Sequence, residues 1–227
     1  MNNITKDFRH FAIDKANVAP SVIDDKINNV NNLITPYILE ERSLNVATYD
    51  IFSRMLLDRI IFLSGEVSPQ AMDTIVAQLL YLDSLDNRDI NIYINSQGGD
   101  CYSGLELVSV MDFVKSEVST TVLGLAASMG AVIASNGAKG KRMLLPYSRF
   151  MIHQPSSSNG YSKFTDSKIA LEEMEKTRND LYEVLAKNSG NNFERIVQLC
   201  ENGDKFLRPQ EAIELGFMDR IIEKREG

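Results

Sequence analysis

The sequence predicts an α/β fold with largely parallel strands joined by right-handed crossovers. Three observations carry that prediction. Between about residues 60 and 152, short apolar or β-branched runs alternate with stretches whose apolar residues recur at helical spacing. The breaks between them are marked by Ser64-Gly65, Ser68-Pro69 and Gly98-Gly99, which are turn and cap pairs. The 227 residues are 44% hydrophobic and 24% charged, an ordinary globular composition sufficient for one sizeable core.

Residues 1–32 are polar and Asn-rich with no sustained period, and read as a mobile leader. Residues 33–48 form a separate region: the more apolar LITPYIL at 33–39 is expected to be a short extended stretch feeding a loop through Glu40, Glu41 and Arg42. One compact α/β domain is expected from about Tyr49 to the C-terminus. Ile60–Leu63 reads as a buried strand. Ser68 is a helix cap with Pro69 in the first turn, and the helix should run to about Leu82, burying Met72, Ile75, Val76, Leu79 and Leu80. Ile90–Ile94 alternates as a strand, Leu105–Val114 has helical spacing, and Thr120–Leu125 is a β-branched buried strand. Ser128–Ser135 is a helix of small residues; Met143–Leu145 and Phe150–Ile152 are strands. This rhythm is that of strand–helix–strand units on a parallel sheet.

Lys163–Asn188 contains no Gly or Pro and predicts about 40 Å of continuous helix. Ala170, Met174, Leu181, Val184 and Leu185 mark one face. Such a helix is longer than the domain needs and is expected to project toward another subunit; the alternative is that it lies across its own domain. Shorter helices come next, near 192–200 and 209–215, and a last strand at Met218–Ile222.

The net charge of −7 argues against non-specific binding to nucleic acid or anionic lipid. No apolar run approaches the roughly 20 residues that span a bilayer, and the N-terminal residues contain no continuous apolar core of a secretory signal. A cytoplasmic protein is therefore expected. Cys101 and Cys200 lack metal-ligand spacing and read as free thiols of a reducing compartment.

The chemistry concentrates in three segments. Residues 124–131 read GLAASMGA: a buried strand ends and a helix of small residues begins at Ser128. A hydroxyl there lies where backbone N–H groups are unpaired and can stabilise an oxyanion. Ser128 is thus either a nucleophile or a plain helix cap. A serine nucleophile needs a base. Of the two histidines, His10 lies in the leader and His153 ends the apolar strand FMIHQP, so a histidine base, if there is one, is His153. Third, the strand YINSQGG ends in Gly98-Gly99, which suits close approach of backbone to a ligand.

In that order, YINSQGG, GLAASMGA and FMIHQP resemble the signature blocks of the ClpP family, the serine peptidase barrels of ATP-dependent Clp proteases. YDIFSRMLLDRIIFLSG at 49–65 and KFLRPQEAIELGFMDRII at 205–222 resemble its opening and close, so the similarity spans about 33–225. The resemblance implies a ClpP/crotonase-like spiral of ββα units with a protruding long-helix handle. It implies Ser128 as nucleophile, His153 as general base and Asp204 as triad acid, with the backbone N–H groups of Gly99 and Met129 as oxyanion hole. Tyr93 and Phe113 match residues that line hydrophobic pockets for ATPase loops, residues 33–48 match the axial loop, Gly160 and its neighbours match the strand along the substrate groove, and residues 163–188 match the handle between two stacked heptameric rings. The leader would be a propeptide shed by self-cleavage. The implied activity is endopeptidase action on unfolded polypeptides supplied by a hexameric Clp ATPase of the ClpX, ClpA or ClpC type. No cofactor or metal is expected in this chain, and ATP would be used by the partner: no GxxxxGK followed by Ser or Thr occurs here.

The chain departs from the family pattern at Gln97, usually Pro, and at Gly203, commonly a basic residue. It is longer and more polar at SSSNGY after Pro155, and has one extra residue between Gly190 and Asp204, so Glu201 is the second candidate for the acid. Three other functions compete. A crotonase-type acyl-CoA hydratase or isomerase would use carboxylates on the same fold. A Ser–Lys peptidase would draw its base from Lys139 or Lys141. A non-catalytic scaffold would keep the fold alone.

Overall fold

The computed structural model describes residues 37–42, 45–156 and 163–224. The expected leader at 1–32 and the groove segment expected around Gly160 lie outside the described residues. The chain divides into two compact units between Arg54 and Met55, later than the expected start at Tyr49.

In the first unit, β1 (Tyr37–Arg42) and β2 (Asn45–Asp50) pair antiparallel, from Tyr37 opposite Asp50 to Arg42 opposite Asn45. The sequence led to an extended stretch running into a loop. The second strand was present in Val46, Thr48 and Tyr49, β-formers too few to stand out alone. Asp50 then starts helix α1 (Ile51–Leu57), its carboxylate accepting from the Phe52 and Ser53 N–H groups at 3.0 Å each.

The second unit carries a seven-stranded sheet. Its elements are β3 (Ile60–Val67), α2 (Pro69–Leu85), β4 (Ile90–Gly99), α3 (Cys101–Phe113), β5 (Val118–Ala127), α4 (Met129–Ser135), β6 (Arg142–Leu144), β7 (Arg149–Ile152), α5 (Phe164–Ser189), α6 (Phe193–Cys200), β8 (Lys205–Leu207), α7 (Pro209–Glu214) and β9 (Arg220–Ile221). The path β3-β4-β5-β6-β9 is parallel throughout. β7 is a further parallel neighbour of β5, and β8 adds antiparallel to β7.

Caps set the crossovers. The Ser68 hydroxyl accepts from Ala71 N–H at 3.4 Å with Pro69 in the first turn, as the sequence predicts. Asp100 caps α3 by accepting from Ser103 N–H at 2.8 Å. Met72, Ile75, Leu79 and Leu82 form the buried stripe of α2. Leu80, expected inside, is 42% exposed, and Val76 is half-buried, because a stripe stepping by three and four residues leaves both on its flank.

β5 divides the sheet. Ile94 pairs with Val122 but Ser96 with Ala126, so β5 holds two residues more than β4 over this stretch. The Asn95 side chain fills the gap, its Oδ1 accepting from Leu125 N–H at 3.0 Å. The first half of β5, Thr120–Val122, pairs with β6; the second half, Leu125–Ala127, pairs with β7. The sheet thus forks, and the branch through β7 ends beside the end of β5.

α5 spans 26 residues and stops at Gly190, whose φ of 75° is the left-handed cap that glycine adopts without steric cost. Its second half seats Thr177, Leu181, Tyr182 and Leu185 on the domain. In its first half Ile169 and Leu171 are exposed, as is Phe164 at its start. One half of this helix packs against its own domain, and the other offers apolar side chains outward. No described helix is long and apolar enough to cross a membrane.

Candidate active site

Ser128 stands between β5 and α4, its backbone at φ 54°, ψ −125°. This is not the extended geometry of a helix cap, and its hydroxyl makes no capping bond. Its N–H donates to Met151 O at 2.9 Å, which ties the turn to β7. Its carbonyl accepts from Ala131 and Val132 N–H at 3.0 and 3.3 Å, so the Met129 and Gly130 N–H groups open the helix.

The same β7 runs on through Ile152 to His153. His153 Nε2 lies 2.8 Å from Ser128 Oγ, and its Nδ1 lies 3.1 Å from Asp204 Oδ1. With Nδ1 protonated, the ring donates to Asp204 and accepts from the Ser128 hydroxyl. Asp204 precedes β8, whose Lys205 pairs with Ile152. One antiparallel pairing therefore sets the acid beside the base. Glu201, the other candidate, is turned elsewhere: its carboxylate faces the Arg178 guanidinium at 3.4 Å. The His153 side chain is 25% exposed and that of Asp204 60%.

The glycine pair does approach the serine, chiefly through Gly98. A Cβ on Gly98 would meet Ala127 O at 2.6 Å, Ser128 Cβ at 2.7 Å and Met129 N at 2.9 Å, so no side chain fits. Gly99, next along, packs its open face on Val67 O instead. The strand end is held by Ser96, whose hydroxyl donates to Gly65 O at 2.5 Å and accepts from Gly98 N–H at 3.1 Å.

Two hollows share Cys101 and Pro155, and the smaller one borders the serine. A groove of about 630 Å³ runs between the start of α3 and the first half of α5, lined by Gly99, Tyr102, Pro155, Ile169 and Met174 among others. A narrow cavity of about 20 Å³ sits behind Ser128 and His153, walled by Met129, Ile152, Leu181 and Tyr182. Cys101 borders both, and burial raises its thiol pKa, so it is no ready nucleophile.

Tyr93 and Phe113 sit on different elements. Tyr93 lies on β4 with its ring edge-on to Phe62 at 5.5 Å, and Phe113 ends α3 at 78% exposure. Lys141 is far from the serine. Its carbonyl accepts from Thr120 N–H, eight residues before Ser128, roughly 20 Å away once the two extra residues of β5 are allowed for. Its ammonium is taken by Asp89 and Glu117. Among the described residues no group of three or more His, Cys, Asp or Glu could hold a metal.

The model of the Clp protease family matches residues 42–225, a span containing the serine, the histidine, the aspartate and the forked sheet. The chain belongs to the Clp protease family. Its curated relatives include the ATP-dependent Clp protease proteolytic subunit of Bacteroides fragilis strain YCH46, 43% identical over 96% of this chain and 99% of the relative. That of Streptococcus salivarius is 48% identical over 82% of this chain and 96% of the relative. Clp family membership sets aside the acyl-CoA hydratase alternative and accounts for the ClpP-like blocks. Sequence reasoning missed Asp100, which starts α3 beside the groove, and Tyr182, which reaches the cavity from α5. Asp100 was readable as an Asp before an apolar helical run. Nothing in the sequence marks Tyr182, because its burial against the cavity depends on which way α5 faces.

Proposed function

We propose that this chain is the serine endopeptidase subunit of an ATP-dependent Clp protease, acting through an acyl-enzyme on Ser128. The observation that carries the reading is the unbroken Asp204–His153–Ser128 relay, with its 3.1 and 2.8 Å links. As Ser128 Oγ attacks a peptide carbonyl, His153 Nε2 takes its proton. The imidazolium formed is stabilised through Nδ1 by Asp204, then returns the proton to the leaving amine. Water, activated by the same nitrogen, releases the acyl group and regenerates the serine. The Met129 and Gly99 N–H groups are assigned to the tetrahedral oxyanion, with Gly98 leaving the space that lets the β4 backbone come this close. The chain needs no cofactor or metal of its own in this mechanism.

The substrates are unfolded polypeptides delivered by a hexameric Clp ATPase, which spends the ATP. Tyr93 and Phe113 are assigned to docking it, and Glu40, Glu41 and Arg42 to the axial entry. The subunits assemble as two stacked heptameric rings joined through the exposed half of α5, in the cytoplasm, after self-removal of residues 1–32. Fluorophosphonate treatment followed by intact and native mass measurement tests the reading. One adduct per chain, absent from Ser128→Ala, on a fourteen-subunit particle is expected. An unlabelled wild-type chain, or labelling that persists in Ser128→Ala, overturns the serine mechanism.

A further inference from the structure

β4 slips against both of its neighbours at nearly the same place. Against β3, Ser64 pairs with Asn95 but Glu66 with Gly98, so β4 holds one residue more over this stretch. Against β5, Ile94 pairs with Val122 but Ser96 with Ala126, so β4 holds two fewer. The two shifts meet around Ser96. Such a bulge interrupts the ladder and re-aims the strand beyond it. The re-aimed piece is Gly98-Gly99, whose first glycine comes up against Ser128 and Met129 N.

Ser96 is 1% exposed, and its hydroxyl spans this break. It donates to Gly65 O on β3 at 2.5 Å and accepts from Gly98 N–H at 3.1 Å. Ser96 also meets the start of α4: a Cβ on Gly130 would lie 3.1 Å from Ser96 O and 3.2 Å from Ser96 Cβ. The same residue is therefore bonded to the β4 side of the site and packed against the α4 side. We propose that Ser96 is a positioning residue for the oxyanion hole: its hydroxyl fixes the Gly98-Gly99 strand end at the distance from Met129 at which two N–H groups share one oxyanion. The inference rests on the reading of Ser128 as nucleophile and of Gly99 and Met129 as donors. Ser96 is no part of the Asp204–His153–Ser128 relay. Without its hydroxyl, Gly98 N–H and Gly65 O lose a partner in a buried place, which drives the strand end to move. Small displacements matter there, because a donor stabilises the oxyanion only when aimed at it in advance.

Ser96→Ala in the full assembly tests this. Its kcat/KM for a fluorogenic peptide should fall about 10- to 100-fold, mostly in kcat. A peptide boronate mimics the tetrahedral intermediate once Ser128 adds to its boron, and its affinity should fall by a similar factor. A product peptide of the same sequence should bind as it does to wild type. The acid limb of the pH profile should stay in place, since the relay is intact. A merely structural role would weaken boronate and product alike. Unaltered kcat/KM, a loss confined to KM, or an unchanged boronate affinity overturns the assignment. Should Ser96→Ala fail to assemble by native mass, Ser96→Cys takes its place, similar in shape but a weak hydrogen-bonding group. It should show the same paired loss in part, and wild-type boronate affinity in it overturns the assignment. Fluorophosphonate labelling separates the two levels of failure. Labelled wild type with unaffected Ser96 variants loses only the role of Ser96, whereas an unlabelled, inactive wild type removes the serine mechanism beneath it.

Discussion

His153 is bonded on both ring nitrogens, and the two bonds do different work. In the proposed mechanism the 2.8 Å link to Ser128 moves a proton, while the 3.1 Å link to Asp204 fixes the tautomer and ring plane. Because the parts act as one unit, Ser128→Ala and His153→Ala should each reduce hydrolysis of short fluorogenic peptides by about 10⁴-fold or more. The double variant should be little worse than either; losses that multiply in a steady-state assay would dissolve the shared mechanism. Asp204→Asn would favour the wrong tautomer and should cost about 10³- to 10⁴-fold in kcat. Glu201→Gln should cost little, since Glu201 answers to Arg178 instead. A reversal of those two effects in the same assay would move the acid to Glu201.

Elements explain why these residues meet. The sequence reads β3, β4, β5 and their helices well, because each strand is a run of buried apolar or β-branched residues and each helix has a cap or break at its end. β8 escaped it: Lys205-Phe206-Leu207 is three residues long and exists as a strand only because β7 is there to pair with it. Hence the sequence left Asp204 and Glu201 both open, although Ser128 and His153 could be named from their blocks. The fork in β5 was equally hidden, since a register shift is a relation between strands. For α5 the sequence marked one face, and the fold splits its use. Leu185 is 2% exposed, so Leu185→Ala should lower stability by about 2–5 kcal/mol in chemical denaturation. Ile169 and Leu171 are 60% and 66% exposed, so Ile169→Asp with Leu171→Asp should leave the subunit folded by circular dichroism and shift native mass from double to single rings. Intact double rings in that variant would remove this half of α5 from the contact.

At the scale of the whole molecule, the question is what restrains a peptidase whose relay is already aligned. Ser128, His153 and Asp204 stand within hydrogen-bonding distance, and in the proposed assembly control would come from access. The purified assembly should therefore cleave short peptides but leave casein nearly intact, and a Clp ATPase with ATP should start casein degradation. Tyr93→Ala or Phe113→Ala should weaken that activation more than basal peptide cleavage, read as the ratio of the two rates. Rapid casein degradation by the full assembly alone would refute control by access.

The positive φ of Ser128 sets working order against durability. A side chain held at φ 54° costs on the order of 1–3 kcal/mol, and glycine is the residue that escapes it. Ser128→Gly should thus melt about 2–4 °C above Ser128→Ala at equal protein concentration, both being inactive. An equal or lower melting temperature would show that the turn carries no such burden. If the difference holds, screens that reward sturdiness alone will drift toward dead enzyme at this position, and serine persists there only under selection for turnover.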